Sequence, residues 1–124
     1  MAAEHHAVFD ALEMTRLREA TFDTALESSK DRLTCVFFWG HDCPNCEVAK
    51  RMLLADVDPV KELKLTWYHV NTYEDSELGT RFGLFGIPTF LFFHQGKKLG
   101  KITPFPGIDP FLAALRELRT KYPA

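Results

Sequence analysis

Three cysteines in a chain of 124 residues are too few for a disulfide scaffold, which excludes the small secreted architectures that covalent staples hold together. No stretch approaches the roughly 20 apolar residues that a membrane-spanning helix needs. Met1 to Arg18 is broken by Glu4, Asp10 and Glu13 and holds no apolar run long enough for a secretory h-region. Neither sign of charge is in surplus: 15 basic and 17 acidic residues give a formal net charge of −2, so no nucleic-acid footprint and no polybasic membrane patch is expected. Repeats and low-complexity segments are absent as well. What remains is a soluble, cytoplasmic, monomeric protein with neither nucleic acid nor membrane as partner. Its length fits one domain over residues 1–124, with 1–19 as an N-terminal extension or edge strand.

The punctuation is that of alternating strands and helices. Ala20 to Leu26 reads as a short helix, with Phe22 and Leu26 one turn apart. Leu33 to Trp39 is β-branched and aromatic without alternation, as in a strand buried on both faces. Pro44 opens a helix whose apolar stripe is Val48, Ala49, Met52 and Leu53, ending before Asp58-Pro59. Leu63 to Val70 is a second strand, and Ser76 to Phe82 a short helix closed by Gly83. Thr89 to His94, a Gln95-Gly96 turn and Lys98 to Thr103 form a hairpin. Pro110 to Lys121 puts Phe111, Leu112, Leu115 and Leu118 on one helical face, and Leu12 to Leu17 is a candidate first edge strand after a short helix. The order β-α-β-α-β-α-β-β-α predicts a mixed sheet covered by helices on both faces.

Chemistry concentrates in FFWGHDCPNCEVAK, Phe37 to Lys50. The strand ending at Trp39 delivers Cys43 to the first turn of a helix, where unsatisfied N–H groups and the positive end of the dipole favour a thiolate. Cys46, one turn on, is placed to attack a mixed disulfide formed on Cys43 and to close an intramolecular disulfide. Two alternatives stand beside this reading. The pair could be inert buried thiols, or half of a zinc site that His41, Cys35 or His69 would have to complete, although no second C-x-x-C or H-x₃₋₅-H pair exists. Cys35, inside the buried strand, reads as a small core hydrophobe. Asp42 reads as a solvated neighbour, and Phe85 and Phe105 as candidates for a substrate-facing surface among 11 phenylalanines.

Trp39-Gly40-His41-Asp42-Cys43-Pro44-Asn45-Cys46 resembles the active-site segment of the thioredoxin family, and Gly86-Ile87-Pro88-Thr89 resembles that family's cis-proline loop, with Pro88 42 residues after Cys46. The resemblance spans about Ala20 to Tyr122. It implies a thioredoxin fold, three-layer α/β/α around a mixed sheet of four to five strands. Cys43 is then the nucleophile, Cys46 the resolving thiol, Trp39 the aromatic beside the site and Pro88 a cis proline facing the sulfurs. Trp39, Pro44, Asn45, Ile87, Pro88 and Thr89 are expected to bind substrate, the backbone of Ile87 pairing with an extended peptide. No cofactor and no metal is implied. The expected partners are client proteins with disulfides and a thiol reductase as electron donor.

The departures are specific. Pro44-Asn45 replaces the usual Gly-Pro between the cysteines, Phe37 stands where a buried aspartate assists the resolving thiol, and the companion lysine falls on His69. Arg51 replaces a helix-kinking proline, and Asp42 a tryptophan. Since Phe37 cannot accept a proton, His69 is the candidate acceptor for Cys46, its unperturbed pKa near 6.5 suiting that task. The expected function is a protein thiol-disulfide oxidoreductase that reduces client disulfides. The alternatives are a non-enzymatic binding module or redox sensor, and a disulfide oxidase or isomerase.

Overall fold

The computed structural model describes residues 5–123. Five strands form one mixed sheet in the order β1-β3-β2-β4-β5. At its centre lies β2 (Thr34–Trp39), parallel to β3 (Thr66–Asn71) and antiparallel to β4 (Thr89–His94). The edges are β1 (Thr15–Arg16), parallel to β3, and β5 (Lys97–Ile102), antiparallel to β4. All six residues of β2 are buried, as the unbroken apolar run predicts. The edge strand β1 is only two residues long, and a five-residue helix, α1 (Ala7–Ala11), precedes it.

The pleat sends alternate residues of β2 into two separate cores. Cys35, Phe37 and Trp39 face α1, α3 (Pro44–Ala55) and α6 (Ile108–Lys121), packing with Phe9, Leu53, Phe90 and Phe111. Val36 and Phe38 face α2 (Phe22–Ser28) and α5 (Ser76–Arg81), packing with Phe22, Leu78 and Phe93. Helices therefore cover both faces, the three-layer α/β/α architecture expected.

Local chemistry explains the joints. After α5, Gly83 adopts φ +64° and donates to the Thr80 carbonyl at 3.1 Å while Leu84 donates to that of Gly79 at 2.9 Å, the paired bonds that end a helix on a left-handed glycine. Gln95 and Gly96 both have positive φ, at 54° and 75°, the turn that matches the twist of the β4–β5 hairpin.

Two expectations need correction. The expected order has one helix between β2 and β3, whereas a second follows α3: α4 (Val57–Glu62) carries Pro59 in its first turn, where the missing N–H has no intrahelical partner to lose. The buried face of α3 is also turned by one residue from the predicted stripe. Cys46, Ala49, Lys50 and Leu53 are buried, whereas Val48 is 39% exposed. Packing Cys46 inward sets that rotation and carries a lysine into the interior.

Candidate active site

β2 ends at Trp39, and its carbonyl accepts from the Thr72 backbone N–H at 2.7 Å and from the Thr72 hydroxyl at 2.9 Å. This fastens the start of the loop to the strand beside it. Asn71 continues the clasp, accepting from the Tyr73 N–H at 3.0 Å and lying 3.2 Å from His41 Nδ1. At Gly40 there is no room for a side chain, since a Cβ would fall 2.7 Å from the Tyr73 ring and 2.8 Å from Ile87 Cδ1. Asp42 points to solvent, as expected.

Cys43 is the N-cap of α3, with φ −131°, and Pro44 follows as the first helical residue. That geometry needs an acceptor at the cap, and Cys43 Sγ supplies it, receiving the Cys46 backbone N–H at 3.1 Å. A thiolate at Cys43 would thus meet an N–H and the positive end of a twelve-residue helix. Cys43 and Cys46 form a disulfide with their Cα atoms 5.2 Å apart. The two sulfurs differ in access: Cys43 retains 9% exposure and Cys46 none.

The Gly86-Ile87-Pro88-Thr89 segment arrives from the opposite side. The Ile87–Pro88 peptide bond is cis, and the Ile87 carbonyl oxygen lies 3.8 Å from Cys43 Sγ. Thr89 is buried and donates its hydroxyl to the Gly86 carbonyl at 2.7 Å, while the Thr103 hydroxyl donates to that of Pro88 at 3.0 Å. Thr89 therefore holds the loop from within and does not line the surface. Beside Pro88 runs a groove of about 260 Å³ lined by Asn45, Val48, Met52, Pro104 and Phe105. Phe85, fully exposed, stands at the rim of a second groove past Ile87.

Trp39 and His69 do not have the roles that the sequence suggested. Trp39 is fully buried, so no client touches it, and its indole N–H donates to His69 Nδ1 at 3.0 Å. His69 opposes Phe37 across the β2–β3 pairing, and its ring stacks on Phe9 of α1 at 3.8 Å and 3°. Burial, aided by the charges of Arg16 and Lys50, pushes the His69 pKa down to about 3. An imidazole so reluctant to protonate is a poor acceptor for the Cys46 proton, which corrects the expectation that His69 takes that role. It is a neutral hydrogen-bond acceptor in an aromatic stack.

This has a consequence for stability. Between about pH 6.5 and about 3 the unfolded imidazole binds a proton that the folded one refuses, so stability falls as pH drops through that window. The slope is expected to reach about 1.4 kcal/mol per pH unit from this group. Denaturant unfolding across the range checks it: His69→Gln, which keeps an acceptor for Trp39, should flatten the profile.

The ligands that zinc would need are not assembled. Among the described residues no group of three His, Cys, Asp or Glu side chains is placed to hold a metal. Cys35 is fully buried in the core, and burial raises its thiol pKa well above the ordinary value, which leaves it inert. Among the described residues no helix is long and apolar enough to cross a membrane.

Comparison with known proteins agrees with this geometry. A family model described as thioredoxin matches residues 13–111. A curated thioredoxin of Malassezia sympodialis is 28% identical over 80 residues, 64% of this chain and 73% of that one. Among solved structures, a Fasciola hepatica thioredoxin superposes with a TM-score of 0.67 at 24% identity, covering 88% of this chain and 99% of that one. The Chlamydomonas reinhardtii thioredoxin f2 does so with a TM-score of 0.69 at 20% identity, covering 90% and 98%. The fold is thus the thioredoxin fold, and α1 lies outside the span that the family model matches.

Proposed function

Because the chain belongs to the thioredoxin family, we propose that it is a protein thiol-disulfide oxidoreductase that reduces client disulfides in a reducing, cytoplasmic compartment. The observation that carries this reading is the asymmetry of the Cys43–Cys46 pair, Cys43 keeping some exposure on a helix N-cap and Cys46 wholly buried behind it. In the reduced protein the Cys43 thiolate attacks one sulfur of a client disulfide, and the other client sulfur leaves as a thiol. Cys46 loses its proton to solvent and attacks Cys43, so that the Cys43–Cys46 bond forms and the second client thiol is released. Two electrons pass to the client, and a thiol reductase restores the dithiol.

The client is held as an extended segment against the Ile87 backbone, with Pro44, Asn45 and Pro88 beside it and apolar side chains in the groove of Val48, Met52 and Phe105. The test is reduction of an oxidised test protein driven by excess dithiothreitol, with the chain at catalytic concentration. Many client disulfides reduced per chain support an enzyme. Binding without turnover assigns the protein to the alternative of a binding module.

A further inference from the structure

Lys50 is wholly excluded from solvent, an expensive place for an ammonium unless partners replace its hydration. Glu47 Oε2 accepts from its Nζ at 2.9 Å. The rings of Trp39 and Phe9 complete the cage, their centroids 3.8 Å and 5.3 Å from the nitrogen. Helical side chains lean toward the N-terminus, and the bond to Glu47, three residues back, shows that Lys50 does so. Its charge is therefore carried back along the buried face of α3 toward Cys46, which precedes Lys50 by one turn on that face.

Cys46 has to become an anion, fully buried in a cluster with Phe37, Trp39 and Phe9, before it can attack the mixed disulfide. Besides Lys50, other charged or titratable groups act on the elements packed in this part of the core, through His6 and His69. Glu47 and Arg51 lie on α3, Arg16 on β1, His5 and His6 at the start of α1, and His69 on β3. Burial foremost, with Lys50 contributing, lowers the pKa of both His6 and His69, so those two rings stay neutral at neutral pH. Of the positive side chains among these, Lys50 is the one on the buried face of Cys46's own helix.

We propose that Lys50 is a positioning residue for the redox reaction: its caged ammonium stabilises the Cys46 thiolate as that thiol resolves the mixed disulfide, with Glu47 tempering the charge. The step is the one written above, the Cys46 proton going to solvent, and Lys50 neither takes nor gives a proton in it. This rests on the oxidoreductase reading, but its test does not require turnover.

The Cys46 thiol is titrated by thiolate absorbance in a Cys43→Ser background, with Lys50→Met or Glu47→Gln added. Lys50→Met is expected to raise the Cys46 pKa by about one unit and so cut its thiolate fraction about tenfold at neutral pH. In the chain with both cysteines, the gain in nucleophilicity offsets part of that loss and leaves resolution about threefold slower. Glu47→Gln should move both readouts the opposite way. Damage to packing alone would not give opposite signs. An unmoved pKa in Lys50→Met, or slower resolution in Glu47→Gln, overturns the proposal. Should Lys50→Met fail to fold, the half-exposed Glu47→Gln decides by itself, a raised or unchanged pKa counting against.

Discussion

Cys46→Ser is expected to arrest the protein with a client covalently attached through Cys43, and Cys43→Ser to lower turnover by at least about a thousandfold. The asymmetry of the site sets the two outcomes apart. Cys43 is the sulfur a client can reach, its N-cap position supplying an N–H at 3.1 Å, while Cys46 has no exposed surface. Without Cys46 the first attack proceeds and nothing releases the product. Without Cys43 no adduct forms, because the remaining thiol is enclosed. Intact-mass measurement after mixing each variant with an oxidised test protein reads the result. An adduct on Cys43→Ser, or equal loss of turnover in both variants with no adduct on Cys46→Ser, contradicts the assignment of roles.

Phe9→Ala should cost about 3–5 kcal/mol of folding stability, among the largest effects available to a single truncation in this chain. Phe9 belongs to a five-residue helix outside the span of the family match, yet it is only 2% exposed. Its ring lies parallel to His69 at 3.8 Å, packs against Trp39 at 5.4 Å and faces the Lys50 ammonium. Removing it leaves a cavity bordered by two polar groups, which water can enter to solvate both. The pKa of His69 should then rise toward its ordinary value, since burial is the first cause of its depression. Denaturant midpoints and an NMR titration of the imidazole check the two effects together. A loss below about 1 kcal/mol would mean that α1 is a loosely attached appendage.

How much of this was legible in the sequence depends on the scale at which forces act. The buried β2 run, the turn at Gln95-Gly96 and the glycine after α5 were readable because each is fixed by local chemistry: an unbroken apolar segment, two residues that accept positive φ, a left-handed cap. The dithiol was readable because its residue types and spacing carry the chemistry, and the proline facing it was implied by the resemblance to the thioredoxin family. What escaped was set by tertiary context. The orientation of α3 follows from which residue enters the core beside Cys46, so an apolar stripe assigned by periodicity alone missed the burial of Lys50. The role of His69 turned on Phe9, a residue 60 positions earlier in a segment with no clear pattern of its own. Trp39 was expected to bind substrate because it adjoins the cysteines, but its parity on β2 points it into the core.

The most direct test of the central claim, that Cys43 and Cys46 form a reversible two-electron couple, is equilibration of the protein with graded ratios of reduced to oxidised dithiothreitol or glutathione. The fraction of dithiol is read by alkylation and mass. One transition is expected, following a two-electron dependence of about 30 mV per tenfold change in the equilibrium constant, and absent from Cys43→Ser. A couple poised on the reducing side of glutathione supports client reduction. A pair that stays in one state across the whole range, or that is oxidising relative to glutathione, contradicts the account of this protein as a disulfide reductase.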